Sequence, residues 1–303
     1  MIKVIINPVA GRLSGRAARP VIEDFLRSHA LDYEIAETEA VGHAAQIAVE
    51  AVRQGCTTVI SVGGDGTANE VINGLMQAQN IGLGTAKLGV LPVGSGNDFS
   101  YGINIPGNLV EALAVLVKGH SSRIDLGKVT GGFFPQGRYF GNGVGIGFDA
   151  VVGFQAAKIK WLRGFPAYIL ATLQTVFLYY KAPAVHLEYG GTMLDKKMLM
   201  ISIMNGKRLG GGFYVTPGAD SSDGQLDLCI APEVSRSRIF GLIPHYLKGT
   251  QAAQPEILTA RTPNITIQAI SGKLPAHADG ETICYEGNRL EIEVIPSALD
   301  VIC

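Results

Sequence analysis

The sequence predicts an N-terminal α/β domain with a parallel sheet, followed by a β-rich antiparallel, sandwich-like domain. Strand-like and helix-like segments alternate through the first third of the chain, whereas short strand-like runs punctuated by Gly and Asp dominate after about Ile124. The 303 residues are long for one hydrophobic core and comfortable for two. We therefore expect domains at residues 1–124 and 125–296, with 297–303 as a segment that can return to the first.

The composition is that of a globular protein, with 47% hydrophobic and 17% charged residues. A formal net charge of −1 gives no global attraction to nucleic acid. The four cysteines, which include no C-x-x-C pair, indicate neither a zinc site nor a disulfide framework, as in a reducing cytoplasm.

No secretory signal or membrane span is expected. The N-terminus enters a strand-like run directly and lacks a small-residue cleavage site. The most apolar long stretch, Tyr168 to Tyr180, is interrupted by Gln174 and is shorter than the roughly 20 residues that a spanning helix needs.

Four strands are predicted in the first domain, together with a helix that begins in the glycine loop after the third strand and three helices with other signals. The strands are KVIINP, DYEIAET, TTVISV and AKLGVLPVG. Pro20 is expected at the first position of one helix. A second helix, HAAQIAVEAVRQG, ends on Gly55, and a third begins at Leu109 with Asn108 and Glu111 as a capping pair. Alternating strands and helices favour an open parallel sheet, whose ligands bind beyond the carboxyl ends of its strands.

The second domain is predicted from six strand-like runs: RYFGNGVGIG, AVHLEYG, KMLMISIMN, QLDLCIA, NITIQA and RLEIEVIP. A long helical region at about 150–180 and a shorter one at about 236–247 are inserted among them. Glycines recur at every second position of residues 141–147, which favours close packing of another element against a bare strand face.

Three glycine-rich loops follow predicted strands of the first domain, at Asn7–Gly15, at Gly63–Thr67 and at Leu91–Phe99. Any one of them could be only a tight turn. Backbone N–H groups at a helix N-terminus also form an anion site suited to phosphate. Because the three loops are expected on one edge of the sheet, a nucleotide cleft is the better interpretation.

Two acidic segments in the second domain also carry candidate chemistry. In DSSDGQLDL, the Asp-Gly pair predicts a hairpin turn, and a turn that also holds a metal ion is equally compatible with the sequence. In HADGETICYEG, Asp279 and Glu281 are two residues apart and would share a face if the segment were extended. His277 lies nearby, and we rank it below the acids because an isolated histidine is usually structural.

The complete set of motifs resembles the diacylglycerol kinase catalytic-domain family, which includes sphingosine and ceramide kinases and the soluble bacterial lipid kinases. The motifs that carry the resemblance are, in chain order, Asn7-Pro8 with Gly11, Thr38 before Gly42-His43-Ala44, Gly63 to Thr67 with Asn69 and Glu70, Pro92 to Phe99, Ile124-Asp125, Asn142 with Gly147, Asp149 and Ala150, Asn205 with Gly210 to Gly212, Pro217, Asp223-Gly224 with Leu226, and Asp279-Gly280-Glu281. The likeness spans nearly the whole chain. It departs at Ser100-Tyr101, where bacterial members often have Ala-Arg, and at Ser95, where threonine is commoner.

The resemblance implies a Rossmann-like first domain, ATP and Mg²⁺ as cofactors, and an active site in the cleft between the domains. It implies nucleotide contacts from Asn7, Gly11, Thr38, Gly64, Asp65, Gly66, Thr67, Asn69, Glu70, Ser95 and Asn97. The implied metal and water ligands are Asp65, Asp98, Asp220, Asp223 and Gln225. Asp279 and Glu281 are the implied catalytic pair, in which one acid takes the proton and the other orients it or meets the metal.

The implied reaction is transfer of the γ-phosphate of ATP to a hydroxyl of diacylglycerol or a related membrane lipid. Basic residues around Trp161, ahead of an apolar helix, predict transient peripheral contact at the inner face of the membrane, although a core helix with solvated lysines fits equally well. A kinase acting on a soluble nucleotide, like NAD kinase, shares the Gly-Gly-Asp-Gly loop, and a non-catalytic nucleotide or lipid sensor is a further alternative. We expect no nucleic-acid partner, and the sequence leaves open whether the protein forms a homodimer.

Overall fold

A computed structural model describes residues 1–159, 161–162, 164–178 and 181–303. The chain forms two compact units, residues 1–124 with 297–303 and residues 125–296. Two of the basic residues expected around Trp161, which are Lys160 and Arg163, and the end of the apolar stretch, Tyr179 and Tyr180, lie outside the described residues.

The first unit is built on a parallel sheet. Its strands are β1 (Ile2–Ile6), β2 (Tyr33–Glu37), β3 (Thr58–Gly63) and β4 (Lys87–Pro92), in the spatial order β4-β3-β1-β2. β1, β3 and β4 are nearly continuous runs of buried, mostly Val, Ile and Leu residues, as expected for strands covered on both faces, whereas the edge strand β2 is only half-buried. The last strand of the chain also reaches this unit, where Val301 pairs in parallel with Leu88.

Five helices accompany this sheet: α1 (Ala10–Ser28), α2 (His43–Arg53), α3 (Asp65–Asn80), α4 (Asp98–Gly102) and α5 (Leu109–Lys118). The predicted cap of α5 is confirmed, because Asn108 Oδ1 accepts the N–H groups of Val110 and Glu111 at 2.9 and 3.2 Å. The predicted start of α1 is wrong, because Pro20 lies inside the helix. Pro20 is exposed, and water can there satisfy the carbonyl group that the ring leaves unpaired.

The second unit is an antiparallel β structure, and the fold class predicted from the sequence is confirmed. Its strands are β5 (Ser121–Gly131), which begins in the first unit, β6 (Phe134–Phe140), β7 (Gly143–Gly147), β8 (Ala184–Tyr189), β9 (Thr192–Met204), β10 (Leu226–Pro232), β11 (Leu258–Thr262), β12 (Asn264–Ser271), β13 (Leu274–Ala278), β14 (Glu281–Gly287) and β15 (Arg289–Ile302), which ends in the first unit. Inward-facing Val, Ile and Leu of these strands form one buried cluster.

The described residues of the second unit form three α-helices: α6 (Phe148–Lys158), α7 (Phe165–Leu178) and α8 (Arg236–Lys248). The helical region expected at about 150–180 is thus two helices. Among the described residues, none of the helices has both the length and the apolar character needed to cross a membrane.

Candidate active site

The glycine loops after β3 and β4 meet backbone to backbone in the first unit. A Cβ atom added to Gly94 would lie 2.3 Å from Cα of Gly64, so only glycine permits this approach. The loop after β1 is tied to the same place, because Asn7 Nδ2 donates to Thr67 Oγ1 at 3.0 Å. The three loops predicted at the strand ends therefore lie together.

The loop after β3 leads straight into α3, whose N-cap residue, Gly64, has no side chain to bond the first N–H groups. The N–H groups of the first turn of a helix have no partner within the helix, and the helix dipole adds positive potential there. The start of α3, at Gly64, Gly66 and Thr67, is therefore a place where an anionic group can be held.

Two carboxylates border the space beside Gly96. A Cβ atom on Gly96 would lie 2.9 Å from Asp65 Oδ2 and 4.0 Å from Asp98 Oδ2, so a side chain at this position would fill that space. Asp65 Oδ1 accepts the N–H of Phe99 at 2.9 Å, which fixes its orientation. Two oxygen ligands beside an anion site suit Mg²⁺, which commonly takes one or two carboxylates together with water and phosphate oxygens.

Two of the residues predicted to bind nucleotide make structural contacts within the first unit. Glu70 accepts the N–H groups of Gly42 and Ala44 at 2.8 and 3.1 Å and so caps the N-terminus of α2. Asn69 is fully buried, and its carbonyl and side-chain oxygens accept Nδ2 of Asn73. Burial argues against direct contact between Asn69 and a nucleotide.

The other expected nucleotide-binding residues lie around the loops. Asn97, with φ of 55°, closes the second glycine loop through reciprocal bonds with Gly94 at 3.1 and 3.0 Å. Ser95 is exposed on this loop. Thr38 follows β2 and donates its backbone N–H to Ile6 O. Gly11, with φ of 54°, begins a left-handed run after β1.

The expected metal loop of the second unit is a turn held by its own acids. Asp220 Oδ1 accepts the N–H and hydroxyl of Ser222, and Asp223 Oδ1 accepts the N–H of Gln225 at 3.0 Å. Asp125 anchors the turn from β5 by accepting the N–H of Gly224 at 2.7 Å.

Arg261 of β11 lies against the acids of this turn. Its Nε is 3.2 Å from Asp227 Oδ1, and its Nη1 is 3.5 Å from Asp223 Oδ2. Burial raises the pKa of Asp227, Arg261 opposes this shift, and the charges of Asp223 and Asp220 add to it. Within the described part of the chain, no three acidic, His or Cys side chains surround one metal position. The turn therefore offers oxygen ligands to a hydrated Mg²⁺ ion but no complete protein cage.

The acid pair does not lie on one extended segment. Asp279 and Gly280 form a turn with φ of 48° and 83° between β13 and β14, and Glu281 is the first residue of β14. The expectation that the two side chains share a strand face is therefore wrong. Asp279 is buried and its carboxylate accepts three backbone N–H groups, whereas Glu281 is half-buried.

An apolar cavity in the second unit was not predicted from the sequence. Phe, Leu, Ile, Val and Met side chains of α6, α8, β9 and the segment between β9 and β10 form most of its wall. Asp149 and Tyr168 also line it, and the Tyr168 hydroxyl donates to Asp149 Oδ1 at 2.6 Å. His277 Nε2 lies 3.4 Å from Asp149 Oδ2, longer than an ideal hydrogen bond. Burial opposes the charge of Asp149, but His277 and Tyr168 outweigh it and keep its pKa below the usual value.

The glycine-rich strand β7 explains how these polar groups are accommodated. A Cβ atom on Gly145 would lie 2.1 Å from Asp149 Oδ2 and 2.6 Å from His277 Nε2, so the bare strand face makes room for both. Gly143 is similarly covered by the sulfur of Met204. Both contacts agree with the packing interpretation of the glycine repeat. The repeat, the motif residue Asp149 and His277 were the sequence signals that fell in this region.

Two family models match this chain. The diacylglycerol kinase catalytic domain matches residues 1–129, and the YegS C-terminal NAD kinase beta sandwich-like domain matches residues 142–303. The second model covers more than half of the chain.

Named relatives agree with these models. The chain is 27% identical over 282 residues to diacylglycerol kinases of Staphylococcus aureus strains bovine RF122 / ET3-1 and MRSA252, which covers 92% of this chain and 85% of each relative. A diacylglycerol kinase structure from Bacillus anthracis str. Sterne is 21% identical with a TM-score of 0.75, covering 99% of this chain and 96% of that one. A second structure from that organism reaches 0.81 at 24% identity, covering 99% and 94%. Yeast NADH kinase with NADH gives 0.52 at 10% identity, covering 99% and 82%. These structural likenesses concern the fold alone.

An α/β unit with converging glycine loops, followed by this type of β sandwich, is the arrangement of the kinase class that the two models describe. The chain belongs to the diacylglycerol kinase catalytic-domain family, in its bacterial form, as the sequence motifs predicted. Membership of a kinase family implies the use of ATP.

Proposed function

We propose that this enzyme transfers the γ-phosphate of ATP, with Mg²⁺, to a hydroxyl group of a membrane lipid, diacylglycerol or a related lipid. The observation that carries the lipid acceptor is the apolar lining of the cavity in the second unit, because its Phe, Leu and Ile side chains suit a hydrocarbon chain and offer a soluble nucleotide little to bind. The cavity measures about 70 Å³, which is room for part of one acyl chain. Asp149 and Tyr168 supply the few polar groups that can orient a lipid among them.

The first unit supports the binding of ATP. N–H groups at the start of α3, with no side-chain cap, can hold phosphate oxygens, and the second glycine loop adds bare backbone beside them. Asp65 and Asp98 can hold a hydrated Mg²⁺ ion at this place. When bound, Mg²⁺ neutralises phosphate charge, which is the main requirement of phosphoryl transfer.

The second unit supports the acceptance of the proton. The attacking hydroxyl must lose a proton, and a carboxylate placed within reach can take it. Glu281 is the better acceptor of the pair, because the Asp279 carboxylate already binds three N–H groups. We also propose that the turn at residues 220–225 holds metal or water through Asp220, Asp223 and Gln225.

The test is phosphate transfer from labelled ATP to a panel of lipids in mixed micelles, with NAD as a competing acceptor. Transfer to a diacyl lipid, lost in Glu281→Gln but retained in Glu286→Gln, is the expected result. Formation of NADP alone would identify a nucleotide kinase instead. Saturable ATP binding without transfer to any acceptor would identify a sensor.

Contact with a membrane is proposed through the outer face of α7. The inner face of this helix is buried, whereas Phe177 and Leu178 are 65% and 70% exposed. Trp161 is also exposed, and exposed apolar residues beside basic ones are typical of peripheral binding to anionic lipid. Phe177→Ser is expected to reduce cosedimentation with anionic vesicles, whereas the equally exposed Met193→Ser is not. Equal binding by both variants would contradict this contact.

A further inference from the structure

The Asp279 carboxylate binds three consecutive backbone N–H groups. Oδ2 accepts the N–H of Gly141 at 2.8 Å, and Oδ1 accepts those of Asn142 and Gly143 at 3.0 and 2.9 Å. The Asp279 N–H donates in return to Gly143 O at 3.0 Å. The side chain is only 6% exposed. Four hydrogen bonds thus join the turn at Asp279 to residues 141–143.

Residues 141–143 in turn hold the segment that follows β9. Asn142 O accepts the N–H groups of Asn205 and Gly206, both at 2.8 Å. Asn205 Nδ2 donates to Gly141 O at 2.9 Å. A displacement of residues 141–143 would therefore be transmitted to residues 205 and 206.

Glu281 depends on the same turn. It is the second residue after Asp279 and begins β14, where it pairs with Ala278 at the end of β13. The turn between them has positive φ at both Asp279 and Gly280, as in the two-residue hairpin turns that an Asp-Gly pair favours. The hydrogen bonds to residues 141–143 add to this preference and fix the turn against the neighbouring segment.

We propose that Asp279 is a positioning residue, which fixes the turn carrying Glu281 by binding the N–H groups of residues 141–143 with its charged carboxylate. This inference rests on the proposed function. A proton accepted by Asp279 would weaken the charge-assisted bonds that three N–H groups make to it, so proton transfer to this carboxylate would act against the turn itself. In Asp279→Asn, an NH₂ group replaces one of the two carboxylate oxygens, and it would face a backbone N–H donor that it cannot accept.

The first test is hydrogen exchange in the wild-type protein. The amides of Gly141, Asn142 and Gly143 are expected to exchange slowly, like those of the adjacent strands. Exchange at the rate of exposed loop amides would overturn the proposal. This measurement needs neither substrate nor variant, so it can overturn the proposal even if no kinase activity is found.

The second test compares Asp279→Asn with Glu281→Gln, with Glu286→Gln as an exposed control on the same strand. Asp279→Asn is expected to lower the Tm by more than about 4 °C, because buried N–H groups lose their acceptor. Its kcat should fall about 100-fold through misplacement of Glu281, while the KM for ATP and the acid limb of the pH profile stay unchanged. Glu281→Gln should keep the wild-type Tm and lose that acid limb.

The opposite result would assign the proton to Asp279. If Asp279→Asn keeps the wild-type Tm and its remaining activity lacks the acid limb, the proposal is overturned. Asp279→Glu restores the charge on a longer side chain and should recover part of the Tm and part of kcat. If Asp279→Asn cannot be purified as a folded protein, the exchange measurement and Asp279→Glu still decide the matter.

Discussion

The contact between the two glycine loops can be tested by adding one methyl group, in Gly94→Ala. The new Cβ atom would lie 2.3 Å from Gly64 Cα, 2.8 Å from Asn97 Oδ1 and 2.9 Å from Gly64 N. Two carbon atoms pack at about 3.5 Å or more, so one loop must move by roughly 1.2 Å. Gly94 cannot move without loss of the N–H bonds that it donates to Asn97 Oδ1 and Gly63 O.

The expected cost of Gly94→Ala follows from this geometry. Inserting one carbon into a packed site typically costs about 1–3 kcal/mol. At about 2–4 °C per kcal/mol, the Tm of the unfolding transition should fall by several degrees. ATP affinity should fall by about tenfold or more, because the displaced loop carries the N–H groups proposed to hold phosphate.

Gly107→Ala is the matched control, because a Cβ atom there meets nothing within 4 Å. It should change stability by no more than about 0.5 kcal/mol. Thermal unfolding and isothermal titration with ATP would be measured on both variants. If Gly94→Ala has the Tm and ATP affinity of Gly107→Ala, the loops do not meet as described and the reasoning fails.

Three further predictions concern the rest of the chain. Arg261→Gln should increase the affinity for Mn²⁺, measured by titration calorimetry, because Asp223 and Asp227 lose a competing cation; unchanged affinity would separate Arg261 from metal binding. Only Cys303 should react rapidly with a thiol reagent in the folded protein at pH 8, since the other three cysteines are buried and burial raises their pKa values; labelling of two or more thiols would contradict this. The carboxylates of Asp195 and then Glu188 raise the pKa of His186 in the folded protein. The stabilisation that His186 gives the fold should therefore be complete below about pH 6.5, its ordinary pKa, and be lost as the pH rises through its pKa in the folded state.

Two of these predictions have simple controls. Arg289→Gln removes an arginine that pairs with exposed Glu291, away from the metal turn, and should leave Mn²⁺ affinity unchanged. For His186, the difference in Tm between wild type and His186→Gln would be followed from pH 5 to pH 9. A difference that grows with pH would contradict the assigned sign.

The architecture of the first unit could be predicted because its determinants are local in sequence. Buried strand runs end in glycine loops, and the carboxyl ends of parallel strands must lie on one edge of their sheet. The Asn108 cap needed only its own helix start. Pro20 was misplaced because its tolerance depends on facing solvent, a property that the three-dimensional packing of α1 decides.

The roles of the site residues depended on long-range contacts, which the sequence did not reveal. Glu70 belongs to α3 by sequence but caps α2, and nothing near it in the chain indicates this. Asp149, which lines the cavity, lies beside His277, which is 128 positions further along the chain. Only the glycine repeat of β7 hinted that some side chain would press against that strand.

Each unit contains a group of backbone N–H donors that can bind an anion, but the source of the anion differs. At the start of α3, glycine leaves backbone N–H groups of a helix N-terminus without a side-chain cap, which is the arrangement that receives an anion from outside. At residues 141–143, three N–H groups also converge on one anion, but the chain supplies it permanently as the Asp279 carboxylate. A carboxylate bound in this way fixes the conformation of the backbone around it, and it does so best while it stays charged. A proton acceptor requires the reverse, a group that can change its charge, and we propose Glu281 as the member of the pair that does so.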